Sequence, residues 1–537
     1  MIRLFSNTAF QLLKNSSRLP AKSSFTKFYH QQQLFSFSTY KSLNWDQYFP
    51  YTSILDGTSF QKALPALKNM PKEELLSFQK VWNDYITHKD PTLLSEKDAA
   101  NISMVVWKMG SLAQSARNAA ESEAYYLEAL DITKKSKANN VNTVIMIQNN
   151  LGWLYYNMDQ LDKSLICLED VCNMIEEIPD FVDFDCVRVR NLYFTSKVLR
   201  AQGKQDQAIE LLNKMITAID NDPYAPPTYM TTSAFNDLGK IYQGKEDMEK
   251  ALGVWEEGIR YSTQIYGEDA DGLQDLYRSI GEACLMQEKD VQVVENMKRC
   301  IELSKKYDKV NFHDFYTLAF AQFQTKDHEG FLQNAQTFID LTGSGLELDR
   351  KASIYQMMYI THYMHNNIML AEKSFGSYIT IINALCGQNS LEVVEAYMER
   401  VELLSGQETT KSYYRTALTE AINVSKNCEK LKPTVRINLL LRAGESYAND
   451  EEWGQALEYL EKVQKLSPEK YLAQEGDQLE YVYLLTAKTY CFLGRFQEGL
   501  VYAEKAKALC EASGDPHNRM ADLNESIKHI HESIKNA

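Results

Sequence analysis

The feature that most limits what this chain can fold into is a two-part spacing that recurs along it. In the stretch Asn438 to Pro468, NLLLRAGESYANDEEWGQALEYLEKVQKLSP, Leu440, Gly444 and Tyr447 share one helical face. After a short polar turn, Ala456, Leu460 and Val463 share another, so the stretch reads as a helical hairpin. Gly444 and Ala456, 12 positions apart, are small enough for two backbones to approach, while Tyr447, Leu460 and Val463 fill the space around that contact. Pro468 stops the second helix. One such hairpin cannot bury its apolar face alone, so further copies are required.

The copies are present. The small residue of the first helix recurs at Gly110, Gly152, Ser196, Gly239, Gly281 and Ala319, less clearly at Tyr359, and again at Gly444 and Ala487. Its partner 12 residues on is Ser122, Ser164, Ala208, Ala251, Val293, Phe331, Ala371, Ala456 and Gly499 in turn. The first seven starts are separated by 42, 44, 43, 42, 38 and 40 residues. The gap of 85 between Tyr359 and Gly444 leaves room for one degenerate copy, placed between Ala396 and Ala421. Val293, Phe331 and Tyr359 break the small-residue rule, and LTGSGLELDR, with Gly343 and Gly345, reads as a bend among these middle copies. Leucine at Gly239 or Ala251 is expected to overpack the hairpin and destabilise it by about 1–3 kcal/mol.

This spacing resembles the tetratricopeptide repeat, with Gly444, Tyr447, Ala456 and Pro468 at that family's small, aromatic, small and proline positions. A period near 42 exceeds the roughly 34 residues of the ordinary repeat and resembles the long repeats of kinesin light chains. YGEDADGLQDLY (Tyr266 to Tyr277) and CGQNSLEVVEAY (Cys386 to Tyr397) look like that class's inter-repeat turn, with a Gly ending one helix. The resemblance covers about residues 100–510. It implies an all-α fold, a right-handed superhelical solenoid of antiparallel helix pairs, with about nine or ten repeats over 101–510. Residues 46–100 are expected to form an N-terminal capping region, in which Leu75, Phe78, Val81, Trp82 and Tyr85 follow Pro71 on one helix. Residues 511–537 are expected to form a C-terminal capping helix with Met520, Leu523, Ile527 and Ile530 on a common face.

Charge divides the chain. Residues 1–45 contain no Asp or Glu but six cations, Arg3, Lys14, Arg18, Lys22, Lys27 and Lys41, among many Ser, Phe and Gln residues. That composition reads as a mitochondrial transit peptide, cleaved between about residues 28 and 45. Removing those six from the 57 basic residues leaves 51 against 72 acidic, a balance of −21 beyond Trp45. The expected location is the mitochondrial matrix or the matrix side of the inner membrane. No stretch approaches the roughly 18 apolar residues needed to span a bilayer, which leaves peripheral membrane association open.

No chemistry-bearing motif is found. There is no phosphate-binding glycine loop, nucleophile elbow, zinc-protease motif or Ca²⁺ loop. The nine cysteines are scattered without a C-x-x-C pair, and Cys284 and Cys300 sit at packing positions. His362 and His365 have helical spacing without a carboxylate to match, and His529 and His531 point to different faces. No enzyme activity, cofactor or metal is expected. A balance of −21 opposes nucleic-acid binding, which needs a basic stripe to replace counterions.

The family resemblance places the binding surface on first-helix residues that face away from the hairpin partner. The first two repeats then offer Met104, Trp107, Asn149, Trp153 and Tyr156; the next three offer Arg190, Tyr193, Lys197, Arg200, Asn236, Lys240 and Arg278; the sixth and seventh offer Tyr316, Phe320, Phe323 and Tyr363. The Asn that lets some relatives clamp chaperone tails is replaced by Ser111, Trp153, Lys197, Lys240, Glu282 and Phe320, so that mode is not supported. Cations gathered on one inner face of an acidic protein suit an acidic segment of a partner protein, with Trp107, Trp153 and Tyr156 as apolar anchors. Charge reversal at Lys197 and Lys240 is then expected to weaken partner recovery and leave the melting temperature nearly unchanged. The leading expectation is a non-catalytic mitochondrial scaffold, an accessory subunit or assembly factor of a large complex such as a respiratory complex. An organellar RNA-processing or translation factor and a cytosolic kinesin-light-chain-like adaptor remain the alternatives.

Overall fold

The computed structural model describes residues 72–88, 90–136, 141–176, 185–220, 228–343, 346–405, 410–466, 476–513 and 520–536. The leader, the first part of the N-terminal capping region, Gly345, Pro468 and the start of the C-terminal segment lie outside them. Among the described residues the secondary structure is entirely helical, with 22 α-helices. A first helix, α1 (Lys72–His88), precedes ten hairpins. They are α2 (Glu96–Ser115) with α3 (Ala119–Lys135), α4 (Val141–Asn157) with α5 (Leu161–Glu176), and α6 (Asp185–Ala201) with α7 (Gln205–Asp220). Next come α8 (Thr228–Gly244) with α9 (Met248–Tyr266), α10 (Leu273–Met286) with α11 (Asp290–Lys306), and α12 (Phe312–Gln324) with α13 (His328–Thr342). Then α14 (Leu348–Met364) pairs with α15 (Ile368–Cys386), α16 (Leu391–Leu404) with α17 (Lys411–Asn427), α18 (Pro433–Ala448) with α19 (Trp453–Lys465), and α20 (Gly476–Phe492) with α21 (Phe496–Ser513). A last helix is α22 (Met520–Asn536). The chain divides into two compact units, residues 1–317 and 318–537, each a stack of antiparallel helix pairs, the all-α solenoid that the repeats imply.

The physical role of the small residue is visible in each glycine-bearing hairpin. A Cβ on Gly110, Gly152, Gly239, Gly281 or Gly444 would collide with or crowd the side chain 16 residues on, namely Tyr126, Leu168, Trp255, Met297 or Leu460. The small residue 12 positions on meets the backbone instead: Ser122 Oγ donates to the Gly110 carbonyl at 2.8 Å and Ser164 Oγ to that of Gly152 at 2.6 Å. Where the rule is broken, volume is redistributed. In α13 the bulky side chain moves to the earlier position, Phe331, and Ala335 follows where a large residue usually stands; both are fully buried. Tyr359 fills its own gap, packing edge-on against Phe375 at 5.4 Å between ring centroids.

Nine hairpins turn in the same way. The residue seven positions after the small one has positive φ: Arg117, Asp159, Gly203, Glu246, Glu288, Lys326, Asn366, Glu451 and Gly494. The next residue donates its N–H to the carbonyl five back, as in Asn118 to Ala113, Asp247 to Tyr242 and Glu452 to Tyr447, which satisfies the first helix's last carbonyls. Asn118, Asp247 and Asp327 then cap the second helix with their side chains. The segment from Ala396 to Ala421 lies in the hairpin α16–α17, whose connection is longer than in the other nine. That extra length displaces the 12-residue register, so the copy is degenerate in sequence but not in architecture. Between hairpins, Gly267 and Gly387 end α9 and α15 at φ 90°, where a side chain would be strained.

Successive hairpins are tied by polar contacts about one period apart in sequence. Asn191 donates to Asn149, Ser279 to Asn236, Lys306 to Asp269, Gln356 to Glu399, and Arg442 to Glu402. In the first unit Trp82 and Tyr85 of α1 are buried in the same core as Ile102, Val106 and Tyr126 of the first hairpin. In the second, Leu523 and Ile530 of α22 are buried among residues of α20 and α21. No described helix is long and apolar enough to cross a membrane.

Candidate functional site

Three successive first helices, α4, α6 and α8, bring together a half-buried aromatic ladder and a cluster of cations. Trp153 stacks on Tyr156 one turn along α4, with ring centroids 5.2 Å apart and planes 19° from parallel. Across to α6, Trp153 stacks on Phe194 at 4.6 Å. Phe194 in turn neighbours Tyr193 at 6.1 Å, and the Lys197 ammonium lies 4.8 Å from the Tyr193 ring centre.

Asp237 of α8 is the centre of charge. Its carboxylate lies 3.3 Å from Lys197 Nζ and accepts from Arg200 at 2.8 Å. Lys197 is 7% exposed and Asp237 13%, whereas Arg200, at 40%, reaches solvent. Burial opposes ionisation of Asp237, yet Lys197, Arg200 and Lys240 together hold its pKa down to about 2. Burial likewise opposes the charge on Lys197, and Asp237 with Tyr193 more than compensates, so the ammonium persists well above its ordinary range. Burial pushes the Tyr193 hydroxyl up to about 12. Three cations face one carboxylate, so the cluster keeps a formal surplus of two positive charges beside the aromatic ladder. Lys240, half-buried on α8, makes no ion pair with a described residue.

The sequence-derived groove residues separate into two sets. Trp153, Tyr156, Lys197, Arg200 and Lys240 stand one or four positions after the small residue of their helix, and they form the patch just described. Trp107, Asn149, Tyr193 and Arg278 stand three positions before it and are covered by packing. Trp107, only 5% exposed, belongs to the core of the first hairpins and is not a groove anchor. Asn149 accepts from Asn191 of the next hairpin. Arg278 grips Asp314 of α12 in a two-point pair, Nε to Oδ1 at 2.6 Å and Nη2 to Oδ2 at 2.9 Å, and also pairs with Asp275. That geometry makes Arg278 a staple between hairpins and removes it from the binding cations. Both sets lie on the same side of the helix by angle. The covered set sits one turn nearer the helix start, where residues of the next hairpin reach over it.

Arg190 is half-buried on α6, seven residues before Lys197 and so on the same side of the helix. Met104 is half-buried and the Asn236 side chain accepts from Ser279. Of the aromatics expected in the sixth and seventh repeats, Tyr316, Phe320 and Tyr363 are buried, and Phe323 packs edge-on against Phe331 at 5.4 Å. Sequence reasoning missed Phe194 and Asp237. Asp237 carried a usable signal, since an acid 40 residues after Lys197 and 37 after Arg200 is one repeat downstream of both.

His362 is buried, and burial, followed by His365, pushes its pKa down; His365 itself meets His328 edge-on at 4.9 Å. His529 is exposed near Glu525 and Glu532. No group of three or more His, Cys, Asp or Glu able to hold a metal occurs among the described residues.

Stacked hairpins of this spacing, closed on a small residue and opening an aromatic and charged face on their first helices, define a helical-repeat protein of the tetratricopeptide type. Residues 144–178, the hairpin α4–α5 that carries Trp153 and Tyr156, match the family model of the tetratricopeptide repeat. The fold is of the tetratricopeptide-repeat type, and this hairpin carries the match in sequence. Similar solved structures include Pseudomonas aeruginosa pilF, 13% identical, with a TM-score of 0.36 over 48% of this chain and 99% of its own. A Podosopora anserina putative kinesin light chain of nearly identical repeats is 13% identical, at 0.31 over 38% and 96%. The apo quorum sensor NprR from B. thuringiensis is 14% identical, at 0.39 over 67% and 96%. No curated protein sequence matches the chain.

Proposed function

We propose that this protein is a non-catalytic scaffold of mitochondria, an accessory subunit or assembly factor that holds a protein partner of a large complex, with a respiratory complex the first to test. One observation carries the reading: an aromatic ladder, Tyr156, Trp153 and Phe194, continues into the Lys197, Arg200 and Lys240 cluster across three first helices. Half-buried aromatics beside Arg are where binding energy concentrates in interfaces. The surplus of two positive charges on an acidic body fits a partner segment bearing carboxylates. The mitochondrial part rests on the acid-free, basic residues 1–45.

The test is affinity purification of the tagged chain from mitochondria followed by mass spectrometry, with wild type beside Trp153→Ala and Lys240→Glu. The expected result is a partner set recovered with wild type and depleted with both variants. Equal recovery with all three would refute the binding surface. An endogenous protein that keeps Met1 and fractionates with cytosol would refute the mitochondrial location.

A further inference from the structure

In the second unit, a cavity of about 340 Å³ opens between α17, α18 and α19. Its floor includes Ile422 and Leu440, Tyr459 forms part of one wall, and four cations surround it: Lys426, Arg436, Lys462 and Lys465. No Asp or Glu lines it. In a chain of net charge −15 a lining with four cations and no acid stands out, since several other cations of this unit are met by acids, as Arg415 is by Glu452 and Arg442 by Glu402. None of the four pairs with a carboxylate among the described residues. Lys426 donates to Asn423 at 2.8 Å, Lys462 lies 4.5 Å from the Tyr459 ring centre, and Arg436 donates to the Ser425 and Cys428 carbonyls.

The alternative role for these lysines is to complement helix ends, since Lys426 sits in the last turn of α17 and Lys462 and Lys465 in the last turn of α19. Magnitudes decide between the two. A helix C-terminus carries roughly half a negative charge, so two ends amount to about one. Arg436 already answers the end of α17 through Ser425 and Cys428, which leaves three lysines against the roughly half charge of α19. The remainder, about +2.5, suits a phosphate group carrying about −1.5 to −2 at neutral pH and leaves a single carboxylate well short. The geometry points to a binding site for a phosphate-bearing ligand between α17, α18 and α19, its phosphoryl group held by Lys426, Lys462 and Lys465 and its remaining atoms on Ile422 and Leu440. A volume near 340 Å³ is at the small end of ligand pockets, which run from about 300 to 1,000 Å³. A soluble phosphate ester and the phosphorylated head of a lipid share this chemistry.

Two probes separate those sources in the full-length chain: inorganic pyrophosphate by isothermal titration calorimetry, and co-sedimentation with phosphatidylcholine vesicles with and without phosphatidic acid. Lys426→Gln, Lys462→Gln and Lys465→Gln alter exposed side chains and leave the fold in place. Pyrophosphate binding identifies a soluble ligand, and binding only to phosphatidic-acid vesicles identifies a lipid head. In either case the paired variant Lys426→Gln with Lys462→Gln weakens binding by about tenfold or more and reduces its salt dependence. Lys240→Gln, in the other unit, leaves it unchanged, so this site and the proposed partner surface fail independently. Failure of both probes, equal affinity in the paired variant, or tighter binding of a polyglutamate peptide or an RNA oligomer through the same lysines would overturn the assignment.

Discussion

Replacing Gly239 by Ala is the most informative perturbation of the hairpin contact. An ideal Cβ there would lie within 2.6 Å of Nε1, Cε2 and Cδ1 of Trp255, where ordinary contact needs more than 3.4 Å. Trp255 has no exposed surface, and its Nε1 donates to the Asn236 carbonyl at 3.2 Å, so the indole cannot swing aside without losing that bond. Overpacking of this kind costs about 1–3 kcal/mol. A lost indole hydrogen bond adds about 1 kcal/mol. The exchange of Gly for Ala in a helix returns about 1 kcal/mol. The net is a destabilisation of about 1–3 kcal/mol. Gly253 on the facing helix α9 is the control: a Cβ there meets nothing within 4 Å, so Gly253→Ala keeps only the helix gain and stabilises by about 1 kcal/mol. Because repeat arrays can unfold locally, the assay is amide hydrogen exchange of α8 and α9, supported by guanidinium denaturation. Protection should fall in Gly239→Ala and rise in Gly253→Ala. Shifts of the same sign in both, or unchanged protection in Gly239→Ala, would refute the reasoning.

Further outcomes follow from the structure. Lys197→Glu sets a second carboxylate against buried Asp237 and should cost about 3–5 kcal/mol in thermal or chemical denaturation, which corrects the expectation that its reversal leaves the melting temperature unchanged. Lys240→Glu removes a more distant one of the cations that hold Asp237 charged and should cost less than Lys197→Glu in the same measurement. Asp237 is held at about 2 against an ordinary 3.8, so its folded form binds a proton less readily than the unfolded one. It therefore contributes about 2 kcal/mol that is complete above about pH 5 and lost as pH falls through 4 to 2; Asp237→Asn should flatten that part of the stability profile. In the turns, Glu288 at φ 59° is an exposed non-glycine in the left-handed region, and Glu288→Gly should gain up to about 1 kcal/mol, while Gly494→Ala at φ 74° should lose about 1–2 kcal/mol, both read by melting.

What the sequence determined by itself is the hairpin and its repetition. The distance from Gly110 to Ser122 or from Gly444 to Ala456 is a property of two local helices and one short turn, so a period in residue type is enough to reveal it. The side of each first helix that faces outward is legible for the same reason, because angle around a helix follows from position. Depth is not. Trp107 and Trp153 sit on the same side of their helices, yet one is core and the other belongs to the open ladder, because neighbouring residues cover the start of one and not the end of the other. The positive φ of Arg117, Glu246 and Lys326 was equally hidden, since those residue types prefer other conformations and are held there by the hydrogen bonds that close each turn. Charge was the last quantity that tertiary structure decided. Lys197, Arg200 and Arg278 read as one row of cations in the sequence, and only the stacking of hairpins brings Asp237 and Asp314, each about one repeat away, close enough to neutralise part of that row and leave the rest open.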